Sequence, residues 1–178
     1  MQQVKNIGGI GSILVLGGIV PAIGQVLVFA GFVMVIIAIY KLSELVDQKE
    51  ILRNYLIGII LSSALILIVI FGIGTTVFLS LQAGLTGLGI GIFLAMLFAW
   101  ILSIVSAYFI KKSFEKISEA TGVTLFKTAG KLYFIGNILT VIFVGVVLSL
   151  IAAIMQIIAF FSLPSAVPGR PQEVSPVS

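Results

Sequence analysis

Three long stretches of this chain carry no charge at all: Asn6 to Tyr40, Asn54 to Ile110, and Leu132 to Leu163. Inside lipid a backbone has no water to bond to, so a segment of this kind must satisfy its own N–H and C=O groups, as a helix does. The rest of the composition agrees. The chain is 60% hydrophobic and 9% charged, with a mean hydropathy of +1.31; a soluble domain is about 45–50% apolar and about 25% charged. So few charges cannot cover a water-soluble globule. The expectation is an all-α, polytopic transmembrane helix bundle, multi-pass in the cell membrane. The N-terminal apolar run resembles a signal peptide at first, but it continues to Tyr40 without a polar cleavage region and reads as retained membrane segment.

The charges that exist are gathered in two connectors, "KLSELVDQKEILR" and "KKSFEKISEATGVTLFKTAGK". With Lys5 these hold nine of the 10 Lys and Arg residues, and the positive-inside rule places both connectors in the cytoplasm. The four tyrosines flank the same charges: Tyr40 beside Lys41, Tyr55 after Arg53, Tyr108 before Lys111 and Lys112, and Tyr133 after Lys131. Amphipathic rings favour the headgroup level, so Tyr40, Tyr55, Tyr108 and Tyr133, with Lys41, Lys111 and Lys112, are expected as interfacial anchors.

Both ends of the middle block are then cytoplasmic, which makes it a hairpin turning near "SLQAGLTG". The outer blocks, as single helices of 32 to 35 residues, would reach roughly 50 Å against a hydrocarbon core of about 30 Å. "GGIVPAIG" supplies a proline and glycines to break the first block into two arms. "GQVLVFAGFVMVIIAIYKLS", from Gly24, also lies over "GVVLSLIAAIMQIIAFFSLP", from Gly145, with Gly24, Val26, Leu27, Met34, Ile36, Ile37, Ala38 and Leu42 each meeting an identical residue. That alignment suggests an internal repeat and sets "FVG" at Phe143 to Gly145 in the place of the proline turn. The expected plan is three helical hairpins at about 6–40, 54–110 and 126–163, six short spans in all. Five spans, with Leu132 to Leu163 as one long kinked helix, and four spans are the alternatives. Residues 1–164 form one membrane domain; 41–53 and 111–125 read as cytoplasmic amphipathic connectors lying on the surface, and 165–178 as a disordered Pro/Ser-rich tail.

The run "KKSFEKISEATGVTLFKTAGKLYFIGNILTVIFVG", followed by "IIAFFSLP" and preceded by "GGIGSIL" and "LSEL", resembles an uncharacterised, mainly archaeal family of prokaryotic membrane proteins, domain of unknown function 996. The similarity runs from about Val4 to Pro164, and "LFKTAG" is its most specific part. The resemblance implies a small multi-helix membrane protein and carries over no activity, cofactor or functional residue.

Cysteine and histidine are absent, which removes thiolate nucleophiles, zinc ligation through either residue and the commonest general base. No ionisable Asp, Glu, Lys or Arg falls inside the proposed spans, which argues against a proton- or ion-coupled pump. The carboxylates Glu44, Asp47, Glu50, Glu115 and Glu119 lie among lysines on the connectors and read as a solvated, ion-paired face. No phosphate loop, cofactor site, metal site or nucleic-acid motif is present, so the chain is expected not to be an enzyme. The basic excess suits anionic lipid headgroups.

Two features remain. Gln25, Ser62, Ser63, Asn137 and Gln156 are possible intramembrane polar contacts. Every fourth residue from Ala83 is small: Ala83, Gly87, Gly91, Ala95, Ala99, Ser103, Ala107. Such a line lets another backbone approach closely, within the chain or from a second copy, and reads as a helix-packing seam. The favoured function is a structural or accessory membrane subunit, homo-oligomeric or part of a larger complex; the alternative is a small channel or facilitator built from duplicated hairpins. A facilitator gathers its polar groups around a cavity, whereas a scaffold scatters them around a dry centre.

Overall fold

The computed structural model describes residues 1–83 and 88–166, and all of its regular structure is helical. Six α-helices follow in order: α1 (Gln2–Leu16), α2 (Gly24–Leu45), α3 (Lys49–Ala83), α4 (Leu88–Thr121), α5 (Thr124–Ile138) and α6 (Val144–Phe161). Short 3-10 turns lie at Gly17–Ile19 and Leu139–Ile142. All but α1 are long and apolar enough to cross a membrane, α5 counted with its 3-10 extension. With 15 residues, α1 extends only about 22 Å.

The helices are arranged as a ring. Each packs against its neighbours in the chain, and α1 closes the circle against α6. Among the described residues no two helices on opposite sides bring their backbones together. The sparsest seam is between α2 and α3.

One end of the ring, where the charges lie, is filled. Tyr55 of α3 stacks on Phe114 of α4 with ring centroids 6.4 Å apart. Phe114 meets Phe126 of α5 edge-on at 5.7 Å, and Phe126 meets Phe160 of α6 edge-on at 5.1 Å. Phe160 in turn lies over Gly8 of α1, where any Cβ would run into its ring. Ile39 and Leu42 of α2, Ile51 of α3 and Ile117 of α4 are fully buried beside them. Aromatic rings contribute both area and edge-to-face attraction, each such pair adding about 0.5–1.5 kcal/mol beyond burial.

This packing explains a departure from expectation. Residues 41–53 and 111–125 are not separate surface helices. α2 continues to Leu45, α4 to Thr121, and only short turns, with Asp47 at φ 54° and Gly122 at φ 76°, divide them from α3 and α5. Leu42, Ile51, Phe114 and Ile117 continue the inward faces of the long helices, and packing among six helices removes more of their surface than a headgroup layer could. The last apolar block is not the one long helix of the five-span alternative: it breaks at Leu139–Phe143, where Phe143 takes φ 59°. The first block breaks at Gly17–Ile23, with Ala22 at φ 69°. The tail from residue 167 lies outside the described residues.

Within the outer pairs the backbones come close. A Cβ on Gly31 would stand 2.5 Å from the Gly11 carbonyl, and one on Gly136 2.9 Å from the Gly145 carbonyl. Between α3 and α4, a Cβ on Gly58 would stand 2.6 Å from Ile110 Cγ1, one on Gly91 2.7 Å from Thr76 Cγ2, and one on Gly72 3.3 Å from Ala95. Ala99 and Ala107 are buried as well. The described part of the small-residue line therefore faces mainly into its own chain; Gly87 lies outside the described residues, as does the side chain of Ala83.

Two outcomes follow for thermal unfolding in detergent. Phe126→Ala should destabilise by about 3 kcal/mol or more, while Phe71→Ala, on a side chain 67% exposed, should leave the midpoint within about a degree of the parent. Gly58→Leu and Gly91→Leu should both lower the midpoint, whereas Gly74→Leu, with nothing within 4 Å of its added carbon, should not; equal effects at all three would contradict the α3–α4 register.

Candidate functional site

Because the helices touch only around the circle, the centre is left open. A cavity of about 250 Å³ lies there, lined from all six helices. Its apolar wall comes from Val15, Phe32, Val35, Ile59, Ile110, Phe114, Ala129, Ala152 and Ala153, and its polar groups from Tyr55, Ser62, Tyr133, Ser149 and Gln156. Phe114 belongs both to this wall and to the packed aromatic end, so the cavity is closed on the charged side by the core itself.

Two of these polar groups, Ser62 and Gln156, are already engaged within the protein. Ser62 and Ser106 are joined at 2.6 Å, and both reach the Gly58 carbonyl, at 3.0 and 2.8 Å. Two hydroxyl protons thus serve this cluster across the α3–α4 contact. Gln156 donates from Nε2 to Ser12 Oγ at 3.1 Å, and Ser12 passes its proton to the Gly8 carbonyl at 2.8 Å, tying α6 to α1. Tyr55 is only 6% exposed, and its hydroxyl has no hydrogen-bond partner among the described residues. Ser149 of α6 likewise makes no side-chain hydrogen bond among the described residues, so the Tyr55 and Ser149 hydroxyls both keep donor and acceptor capacity toward the cavity.

The residues singled out from sequence divide. Ser62 and Gln156 reach the cavity. Gln25 and Ser63 point outward and are exposed. Asn137 donates to the Tyr133 carbonyl of its own helix at 2.8 Å, while its own carbonyl accepts Trp100 Nε1 at 3.2 Å, which links α5 to α4. Ser103 donates to the Trp100 carbonyl. Of the expected interfacial anchors, Tyr40 and Tyr108 are exposed. Tyr40 donates to Glu44, Lys41 Nζ bonds Gln3 at 3.0 Å, Lys111 sits over Phe134 and pairs with Glu115, and Lys112 sits over Tyr108. Tyr55 and Tyr133 differ from expectation, turning into the ring rather than out to a headgroup layer. The signal was present: Ile51, Tyr55, Ile59 and Ser62 repeat at helical spacing on one face, yet proximity to charge pointed the other way. Ser149 gave no signal beyond being one serine in an apolar helix.

The cavity holds no charged group, and among the described residues no three His, Cys, Asp or Glu come together. What such a wall can do is accept an uncharged molecule and hydrogen-bond it at a few points.

No solved structure matches this chain. An uncharacterised protein of the archaeon Methanocaldococcus jannaschii is 40% identical over 168 residues, covering 92% of this chain and 93% of that protein. The family model described as "Protein of unknown function (DUF996)" matches residues 27–154, a stretch that runs from within α2 to within α6. The chain belongs to that family.

Proposed function

We propose that this protein is a multi-pass protein of the cell membrane that holds a small neutral molecule in the centre of its helix ring, a binding or facilitator function rather than an enzymatic one. The observation that supports this most is the central cavity, whose apolar walls carry a few neutral polar groups, the Tyr55 and Ser149 hydroxyls among them. Its volume corresponds to roughly eight waters at about 30 Å³ each, so the occupant is small: an apolar body with one or two hydroxyl, carbonyl or amide groups fits the donor and acceptor set. An ion would meet only hydroxyls and one amide here, too weak a field to replace its hydration. A packed, dry centre would have supported the structural or accessory reading instead.

Two further parts of the reading rest on the charged end. Lys41, Lys111, Lys112, Lys127 and Lys131 suit contact with anionic lipid headgroups in the cytoplasmic leaflet. The two outer hairpins also support the reading of an internal repeat. Laying Gly24 over Gly145 superposes Ala22 on Phe143, the two non-glycine residues with left-handed backbone at the two breaks. On that reading the cavity lies between duplicated halves.

The natural chain has no cysteine, so single cysteines report cleanly. Thiolates, which react with methanethiosulfonates, form only where water reaches. In proteoliposomes Ala153→Cys, on the cavity wall, should react at least about tenfold faster with a small neutral methanethiosulfonate than Ile154→Cys, which faces outward at 50% exposure. Equal, slow reaction at both positions would return the function to a dry scaffold, as would a discrete hetero-complex in native mass measurement with no small molecule retained.

A further inference from the structure

We propose that only the α3–α4 pair crosses the bilayer, and that α1–α2 and α5–α6 are hairpins inserted from the charged side that turn back within the hydrocarbon. Four observations carry this, none of them dependent on what the cavity binds.

The first is the register of the charged groups. A Cβ on Gly130 would stand 3.2 Å from Lys111 Cα, which sets Lys111 of α4 and Lys131 of α5 at one height. Above that height α5 and its 3-10 extension run only from Lys131 to Ile142, eleven steps of the helix or about 17 Å. From Lys111 back to Leu88, α4 runs about 35 Å, and α3 from Arg53 to Ala83 about 45 Å. Only the second pair spans a hydrocarbon core of about 30 Å.

The second is the height of α1. The Phe126–Phe160 contact and the Gln156–Ser12 hydrogen bond place Ser12, Gln156 and Gly130 at one level. From Ser12 to Ile19 the arm climbs about 11 Å, and even from Lys5 it reaches only about 21 Å. Length alone makes α2, α5 and α6 candidate spans; their packing against charged neighbours uses much of that length below the hydrocarbon.

The third is the chemistry of the two tips. "GGIVPAIG" and "LTVIFVGVV" contain no charge, amide or tyrosine. Val20, Ile23, Val141, Ile142 and Phe143 are exposed, Phe143 by 82%. A turn at the far membrane surface would present such side chains to headgroups and water. The α3–α4 joint, in contrast, has Ser80, Gln82 and Thr86 in sequence.

The fourth is the backbone. Turns in lipid must satisfy much of their own backbone, and five amides of these two do so within the turn. Val20 N donates to the Gly17 carbonyl, Ile23 N to Pro21, Gly24 N to Val20, Phe143 N to Thr140 and Val146 N to Phe143, all at 2.9–3.1 Å. Pro21 has no N–H to lose, and the Thr140 hydroxyl returns to the Gly136 carbonyl at 2.8 Å. The molecule is then a wedge, with six helices in the charged leaflet and two in the other.

Val26→Cys and Val141→Cys, both on exposed side chains near the tips, and Gln82→Cys at the α3–α4 joint test this in oriented proteoliposomes. A membrane-impermeant maleimide should label Gln82→Cys only from the face opposite the lysines, and label Val26→Cys and Val141→Cys from neither face. Spin labels at the latter two should collide freely with oxygen and be shielded from an aqueous nickel chelate. Labelling of either tip from either face at the rate seen for Gln82→Cys would overturn the proposal, while leaving the reactivity of Ala153→Cys to judge the cavity separately.

Discussion

The chain of aromatic contacts Tyr55–Phe114–Phe126–Phe160, ending on Gly8, is the interaction on which the arrangement depends. It links α3, α4, α5, α6 and α1 in turn, and Ile39 and Leu42 bring in α2. Between helices already surrounded by apolar lipid there is little hydrophobic gain in association, so close packing and edge-to-face geometry have to supply the preference. Gly8 matters for the same reason: without a side chain there, α1 can close against α6 and complete the circle.

The closure has a geometric consequence. Six helices about 10 Å across, each touching only its two neighbours, enclose space at the centre that side chains must fill. At the charged end phenylalanines and isoleucines fill it. Farther in, the facing residues are Ala129, Ala152, Ala153, Ser62 and Ser149, which are too small to do so. Cavity and core are thus two levels of one structure, and Phe114 belongs to both. The polar groups around the gap are neutral; Ser62 is tied to Ser106 and the Gly58 carbonyl, and Gln156 to Ser12. A wall of that kind carries no fixed charge to attract or balance an ion.

Much of the fold was legible from charge distribution. The uncharged blocks mark the apolar helices, and the breaks at Pro21 and near Phe143 fall where block length demanded a turn. The connectors were misjudged because amphipathic spacing looks the same whether the apolar face meets lipid headgroups or five other helices. Leu42, Ile51, Phe114 and Ile117 do not say which. Tyr55 and Tyr133 were misplaced for a related reason: a residue two positions from a charge can still lie on the opposite face of the helix, since two residues turn it by about 200°. Gln25 and Gln156 are chemically alike and differ only in the face they occupy, which the hydropathy of a nearly uniform helix does not reveal. The family assignment was legible through the "LFKTAG" region, which begins α5 and includes both Phe126 and the Ala129 and Gly130 positions where α5 meets α4 and the cavity.

Closure of the ring by α1 and α6 is the claim on which cavity, core and depth all rest, and proximity of residues far apart in the chain tests it directly. Gly9 of α1 packs against the Phe161 ring of α6, so a chain carrying both Gly9→Cys and Phe161→Cys should be joined within one molecule by a short bifunctional maleimide. The expected product runs as a monomer on a denaturing gel and keeps its N- and C-terminal fragments together after proteolysis in the α3–α4 joint. Cross-linking only between copies, or none at all under conditions where each single cysteine is labelled, would contradict the ring.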